Sequence, residues 1–109
     1  MFKFAEIFKN ALSLKQKIEE IQSELKKMRV EAVTGGGLVK VVADGQQNIL
    51  EIKIDPELLK SGDIKLLEDL IVSAVNEARK KAMNLATAEM TKRMGDLPIS
   101  KDVDPLLSS

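Results

Sequence analysis

The stretch RVEAVTGGGLVKVVADGQQNILEIKI, from Arg29 to Ile54, decides the fold. It has a two-residue period. Leu50, Ile52 and Ile54 alternate with Glu51 and Lys53, so one face of a strand is apolar and the other wet. Gly35-Gly36-Gly37 and Asp44-Gly45 interrupt the apolar runs. Both are hairpin chemistry, because glycine supplies positive φ without a Cβ clash. The expectation is a meander of three antiparallel strands, Arg29 to Thr34, Leu38 to Ala43 and Ile49 to Ile54.

On the N-terminal side the period changes to that of a helix. Ile7, Ala11, Leu14, Ile18, Ile21, Leu25 and Met28 form an a/d seam over three heptads. Lys15, Gln16, Lys17, Glu19, Glu20, Gln22, Glu24, Lys26 and Lys27 fill the gaps, and Phe4 and Phe8 add a second apolar line. Such a seam either packs on its own domain or joins two chains.

On the C-terminal side Asp55-Pro56 reads as a cap followed by a helix-first proline, starting a short turn through Lys60. Ser61-Gly62 breaks it. Asp63 then caps a long helix from about Ile64 to Met94, with Gly95 as its stop. Leu67, Leu70, Ile71, Val75 and Leu85 are its apolar anchors. Ala74, Ala78, Ala82 and Ala86 recur every fourth residue, either as a ridge for close packing or as ordinary helix formers. Residues 96–109 read as a poorly ordered tail with two prolines and three aspartates. The fold class is therefore α+β, in the order α-β-β-β-α, with a single domain over residues 1–95.

This architecture predicts a dimer. A helix of about 30 residues is about 45 Å long, whereas a compact 100-residue domain has a radius of gyration near about 13 Å. The last helix must overhang its sheet and carry Leu85, Ala86 and Met90 into water. Three strands also leave two open edges. A second copy relieves both problems.

The 109 residues include no His, Cys, Trp or Tyr. Without Cys and His, disulfides, thiolate nucleophiles, imidazole bases and the usual zinc sites are excluded. No apolar run approaches the length of a membrane span, and the N-terminus carries early charges rather than a signal peptide. A cytoplasmic protein is expected. Gly35-Gly36-Gly37 lacks the GK[ST] ending of a phosphate loop and lies between strands. Asp55, Glu57 and Asp63 read as caps rather than metal ligands, and Ser73 has no base nearby. No catalytic residue, metal, cofactor or small-molecule substrate is expected.

The zero net charge hides segregation. Residues 1–29 carry seven Lys/Arg against four Glu, a net of +3. Residues 30–78 are at −5, residues 79–93 at +4 and the tail at −2. Lys26, Lys27 and Arg29 end the first helix, and Arg79, Lys80, Lys81, Lys92 and Arg93 lie on the last. These eight are the candidate phosphate contacts; the alternative is a solvated face, which suits a pI near 6.3.

Three segments carry a family resemblance: Gly36 to Gly45 (GGLVKVVADG), Ile52 to Leu59 (IKIDPELL) and Leu67 to Ala78 (LEDLIVSAVNEA). In this order, across residues 28–95, they resemble the YbaB/EbfC family of bacterial nucleoid-associated proteins. The resemblance implies a tweezer-like homodimer with helices projecting from a sheet core, duplex DNA of low or modest sequence selectivity as partner, and residence in the bacterial nucleoid. Phosphate contact, not base reading, is the role expected for Lys26, Lys27, Arg29, Arg79, Lys80, Lys81, Lys92 and Arg93. Phe2, Phe4 and Phe8 are the only aromatics available for stacking on single strands, so duplex is the expected target. The competing expectation is an accessory module of recombination or replication without DNA contact, binding through the Ala74/Ala78/Ala82/Ala86 ridge or the first-helix seam.

Overall fold

A computed structural model describes residues 3–95; the expected tail, residues 96–109, lies outside the described residues, as does Phe2. The element order is α1 (Lys3–Lys27), β1 (Arg29–Thr34), a 3-10 turn (Gly35–Gly37), β2 (Val39–Asp44), β3 (Ile49–Ile54), α2 (Pro56–Lys60) and α3 (Ile64–Met94). The fold is α+β with a three-stranded antiparallel sheet in the order β1-β2-β3.

The register explains the core. Ala32 pairs with Val41 and Thr34 with Val39, while Val41 pairs with Ile52 and Val39 with Ile54. Directly paired residues share a face. That face carries Ala32, Val39, Val41 and Ala43, all buried with Leu58 of α2 and Ala74 and Ala78 of α3. The Ala row permits this packing, because small side chains let the helix lie close over the strands. It is therefore used inside the chain. Ala74, Ala78 and Ala82 have no exposed surface, so the ridge is not the open partner groove considered from sequence.

The caps form as the residue types dictate. Asp55 accepts from the Glu57 N–H at 2.9 Å, with Pro56 in the first turn of α2. Asp63 accepts from the Leu66 N–H at 3.0 Å at the start of α3. Glu57 pairs with Lys60, so these acids serve their own helix ends. Gly95 ends α3 in right-handed backbone, its N–H donating to Thr91 O at 3.1 Å.

One glycine works differently from the sequence expectation. Gly35, Gly36 and Gly37 do have positive φ. In the β2–β3 turn the positive φ belongs to Gln47, at 69°, not to Gly45. Gly45 is needed instead for close approach. Its N–H donates to Leu25 O of α1 at 2.8 Å, and a Cβ placed there would lie 2.6 Å from that oxygen. Gln46 Nε2 likewise donates to Gln22 O at 2.8 Å. The turn thus adds donors to Gln22 O and to Leu25 O, which also accepts from the Met28 N–H at 3.1 Å, and so ties the end of α1 to the sheet.

Asp44 holds the turn itself. It is only 3% exposed. Its carboxylate accepts from the Gln46 and Asn48 N–H groups at 2.8 and 3.0 Å, and from Asn48 Nδ2 at 3.0 Å. Burial on its own raises the Asp44 pKa; the Asn48 and Gln46 hydrogen bonds, with a contribution from Arg29, outweigh it and hold the carboxyl below its ordinary value. A depressed carboxylate stabilises the fold above its unfolded pKa, about 4, and that contribution is lost as pH falls through the folded value. Acid titration of Asp44→Asn should therefore show a shallower loss of stability below about pH 4 than the parent chain. Parallel curves would contradict this assignment.

Candidate nucleic-acid interface

The two long helices leave the sheet from the same end. Thr34 Oγ1 donates to Leu70 O at 2.9 Å, which fixes the start of α3 beside the end of β1. Lys81 Nζ donates to Glu31 O at 2.9 Å, so α3 crosses the sheet antiparallel to β1 and exits where β1 begins. Leu25 of α1 meets Gly45 at that same end, since Arg29 pairs with Asp44. From Ala82 to Met94, α3 continues for about 18 Å beside α1. The result is a two-helix arm, and the molecule measures 71 × 29 × 18 Å with a radius of gyration of 20.2 Å.

The overhang expected of α3 is present, but α1 shields it. Leu85, Ala86, Met90 and Met94 are half-buried. On α1 the seam is closed only near the sheet. Ile21 and Leu25 are buried and Leu14 and Ile18 half-buried, while Ile7 and Ala11 are exposed. Met28 lies just past the helix.

The eight candidate cations do not form a single patch. Arg29 is exposed and folds over the end of α1, its Nη1 donating to Lys26 O and Met28 O at 3.0 Å each. Lys26 and Lys27 are exposed beside it, and Lys27 lies 3.7 Å from Glu24. Lys81 reaches β1 two residues further along, at Glu31. Lys92 is eleven residues beyond Lys81, about 20° from three full turns, and shares its face about 17 Å outward. Arg29, Lys26, Lys81 and Lys92 thus follow the β1 flank of the arm. Consecutive helix residues do not share a face. Lys80 accordingly points away from the sheet and Arg79 toward the β3 flank. Arg93 is half-buried and pairs with Glu89 at 3.3 Å. Lys26, Arg79, Lys80 and Lys92 form no ion pair among the described residues.

Apolar exposure adds two surfaces. On β3, Ile49, Leu50 and Ile52 are exposed although they carry the apolar alternation. The core covers only the β1 and β2 portion of the sheet and Ile54 at the end of β3. A register shift between Val42 and Ala43 sets Ile49 opposite Ala43 and leaves Leu50 as the extra residue. Val72 and Met83 of α3, on the flank above β3, are also exposed. The second surface is the arm tip, where Phe4, Ile7, Phe8 and Leu12 are open. A shallow groove of about 270 Å³, lined by Ala86, Thr87, Met90 and Thr91, lies toward the end of α3. No helix among the described residues is long and apolar enough to cross a membrane.

A small three-stranded sheet, a projecting two-helix arm and cations along one flank define a class of α+β proteins. Within that class the chain belongs to the YbaB/EbfC DNA-binding family, whose profile matches residues 1–97. A protein of Acetivibrio thermocellus called a nucleoid-associated protein is 46% identical over 91 residues, covering 84% of this chain and 80% of its own. A Bartonella bacilliformis protein of the same description is 44% identical over 94 residues, covering 85% and 86%. The crystal structure of an uncharacterized protein from Helicobacter pylori superposes with a TM-score of 0.75 at 20% identity, over 84% of this chain and 96% of that one. That likeness supports the fold.

Proposed function

We propose that the protein is a homodimeric, nucleoid-associated protein that binds duplex DNA through phosphates, with low or modest sequence selectivity and no enzymatic activity. The observation that carries this reading is the β1 flank of the arm, where Lys26, Arg29, Lys81 and Lys92 follow one line. Their charges are spread along a rigid projection rather than gathered in a cavity. That arrangement follows a polyanion's backbone and reads no base edge. Family membership and the names of the relatives support DNA as the partner and the bacterial nucleoid, within the cytoplasm, as the location.

The dimer supplies what one chain lacks. The β3 part of the sheet face is apolar and uncovered, and its outer edge is unpaired among the described residues. A second copy seated on Ile49, Leu50, Ile52, Val72 and Met83 buries that surface and sets two arms on opposite sides of a shared core. Arg79, on the β3 flank, then borders the interface, whereas Lys26, Arg29, Lys81 and Lys92 stay outside it.

Salt titration of duplex affinity tests the phosphate reading. Log K should fall linearly with log salt, at a slope of about −0.9 per phosphate neutralised. Lys81→Gln and Lys92→Gln should each reduce the slope by about 1 without changing preference among duplexes. A salt-independent affinity contradicts the proposal. Lys60→Gln, far from the arm in a pair with Glu57, serves as the control.

A further inference from the structure

The two ends of the molecule carry exposed apolar side chains set among opposite charges. At the arm tip, Phe4, Phe8 and Leu12 recur every fourth residue and share a face of α1, with Ile7 one turn from Phe4. All four are open, Phe4 by 80%. Lys9 and Lys15 are exposed and Lys17 half-buried on the same segment, so residues 4–17 carry three lysines against Glu6. The outer turns of α3 add Lys92 and Arg93 against Glu89.

The other end is the turn between α2 and α3. It follows Ile54, which pairs with Val39 at the end of the sheet away from the arm. The Gly62 N–H donates to Leu59 O at 3.3 Å, so α2 runs directly into α3. Leu59, Ile64 and Leu66 are exposed around this turn, Ile64 by 69%. A helix end presents all sides of its first turn, so these three need not share a helix face to be met together. Asp55, Glu57, Asp63, Glu68 and Asp69 are exposed among them, against Lys60 and Lys65, a formal charge of −3 over residues 55–69. Glu57 and Asp69 pair with those two lysines, and Glu68 has no ion pair among the described residues.

Charge selects the occupant of each surface. Two arm tips would repel one another, and so would two α2–α3 turns. DNA would take the lysines of the tip, leave Phe4 and Phe8 in water, and be repelled by the turn. A tip placed on a turn buries both apolar surfaces and brings opposite charges together.

We infer that the arm tip of one copy seats on the α2–α3 turn of a second copy. The contact joins different surfaces of the two copies, so it does not close on itself. Each added copy offers a free tip or a free turn, and copies join end to end. Both surfaces are small, so the contact is weak and forms as concentration rises. Its charges are exposed, so salt weakens it. The inference rests on neither the β3 dimer nor DNA.

Sedimentation velocity of the full chain without DNA tests this. In low salt the weight-average sedimentation coefficient should keep rising with concentration beyond that of a dimer, and high salt should abolish the rise. Lys9→Glu/Lys15→Glu makes the tip acidic, and Glu68→Lys/Asp69→Lys makes the turn basic; all four positions are exposed. Each double variant alone should lose the rise with its circular dichroism spectrum intact. An equimolar mixture of the two should restore it, because each then meets a complementary end on the other. A parent coefficient that levels off at a dimer, or a mixture that fails to associate, overturns the inference. The chain lacks cysteine, so cross-linking gives a second measurement that needs no charge change. Phe8→Cys/Ile64→Cys treated with a flexible bis-maleimide should give a ladder of more than two chains on a denaturing gel. No band beyond a linked pair overturns the inference. Linked pairs from both single-cysteine variants would assign the ladder to like ends and overturn it too. These readouts involve no DNA, so their failure is distinct from failure of the phosphate reading.

Discussion

Gly45→Ala should lower the unfolding free energy by about 3 kcal/mol, more than any other glycine-to-alanine change in the described chain. The added Cβ would lie 2.6 Å from Leu25 O and 3.0 Å from both Leu25 Cα and Cβ. Two of these atoms are backbone, at the inner end of α1, so no rotamer change relieves the clash. The turn must move away, and with it go the Gly45 N–H bond to Leu25 O and the Gln46 bond to Gln22 O. The two hydrogen bonds that tie α1 to the turn are then lost. Gly36→Ala is the informative comparison. It has φ of 67° and nothing within 4 Å, so it costs only the left-handed backbone penalty, about 1–2 kcal/mol. Urea denaturation of both variants checks the ranking. Equal midpoints would mean that α1 is not seated on the turn as described. Hydrogen exchange provides a second measure: the inner turns of α1 should lose protection in Gly45→Ala and keep it in Gly36→Ala.

On the proposed dimer, Ile52→Asp should leave the protein monomeric. Ile52 is 44% exposed in the single chain, so on an isolated subunit the change resembles a surface substitution, worth within about 0.5 kcal/mol. Buried between two copies, the same carboxylate would have no partner and would cost several kcal/mol. Light scattering after size exclusion separates these cases. The parent should have twice the 12.0 kDa chain mass, and the variant should have the chain mass with its circular dichroism spectrum intact. A parent that already has the mass of one chain removes the dimer from the proposed function. A variant that remains dimeric places the interface elsewhere. DNA affinity of the monomeric variant should also fall, because one arm rather than two then meets the duplex.

Much of the fold is legible residue by residue. Val30, Ala32 and Thr34, and Ile52 and Ile54, show their strands by alternation, because side chains on a strand change face at every residue. Asp55 and Asp63 mark helix starts, because a short carboxylate reaches the free N–H groups of the first turn. The function of Gly45 was not legible. Asp44-Gly45 looks like a turn that needs positive φ, yet Gln47 takes that conformation and Gly45 is small because α1 passes against it. A contact between residues 25 and 45 leaves no local signature. The candidate site divides in the same way. Basic composition at the ends of both long helices is visible in sequence, but helical phase splits Arg79, Lys80 and Lys81 onto different sides, and Glu89 takes up Arg93.

Sequence by itself determined the order of elements, their caps and the segregation of charge, because periodicity, capping and net charge are local properties of a chain. Tertiary structure decided which apolar residues are covered. It placed Ala74, Ala78 and Ala82 against the sheet and left Ile52 and Phe8 in water. Hydrophobic spacing specifies that a face is apolar; only the three-dimensional path of α1 and α3 specifies what that face meets.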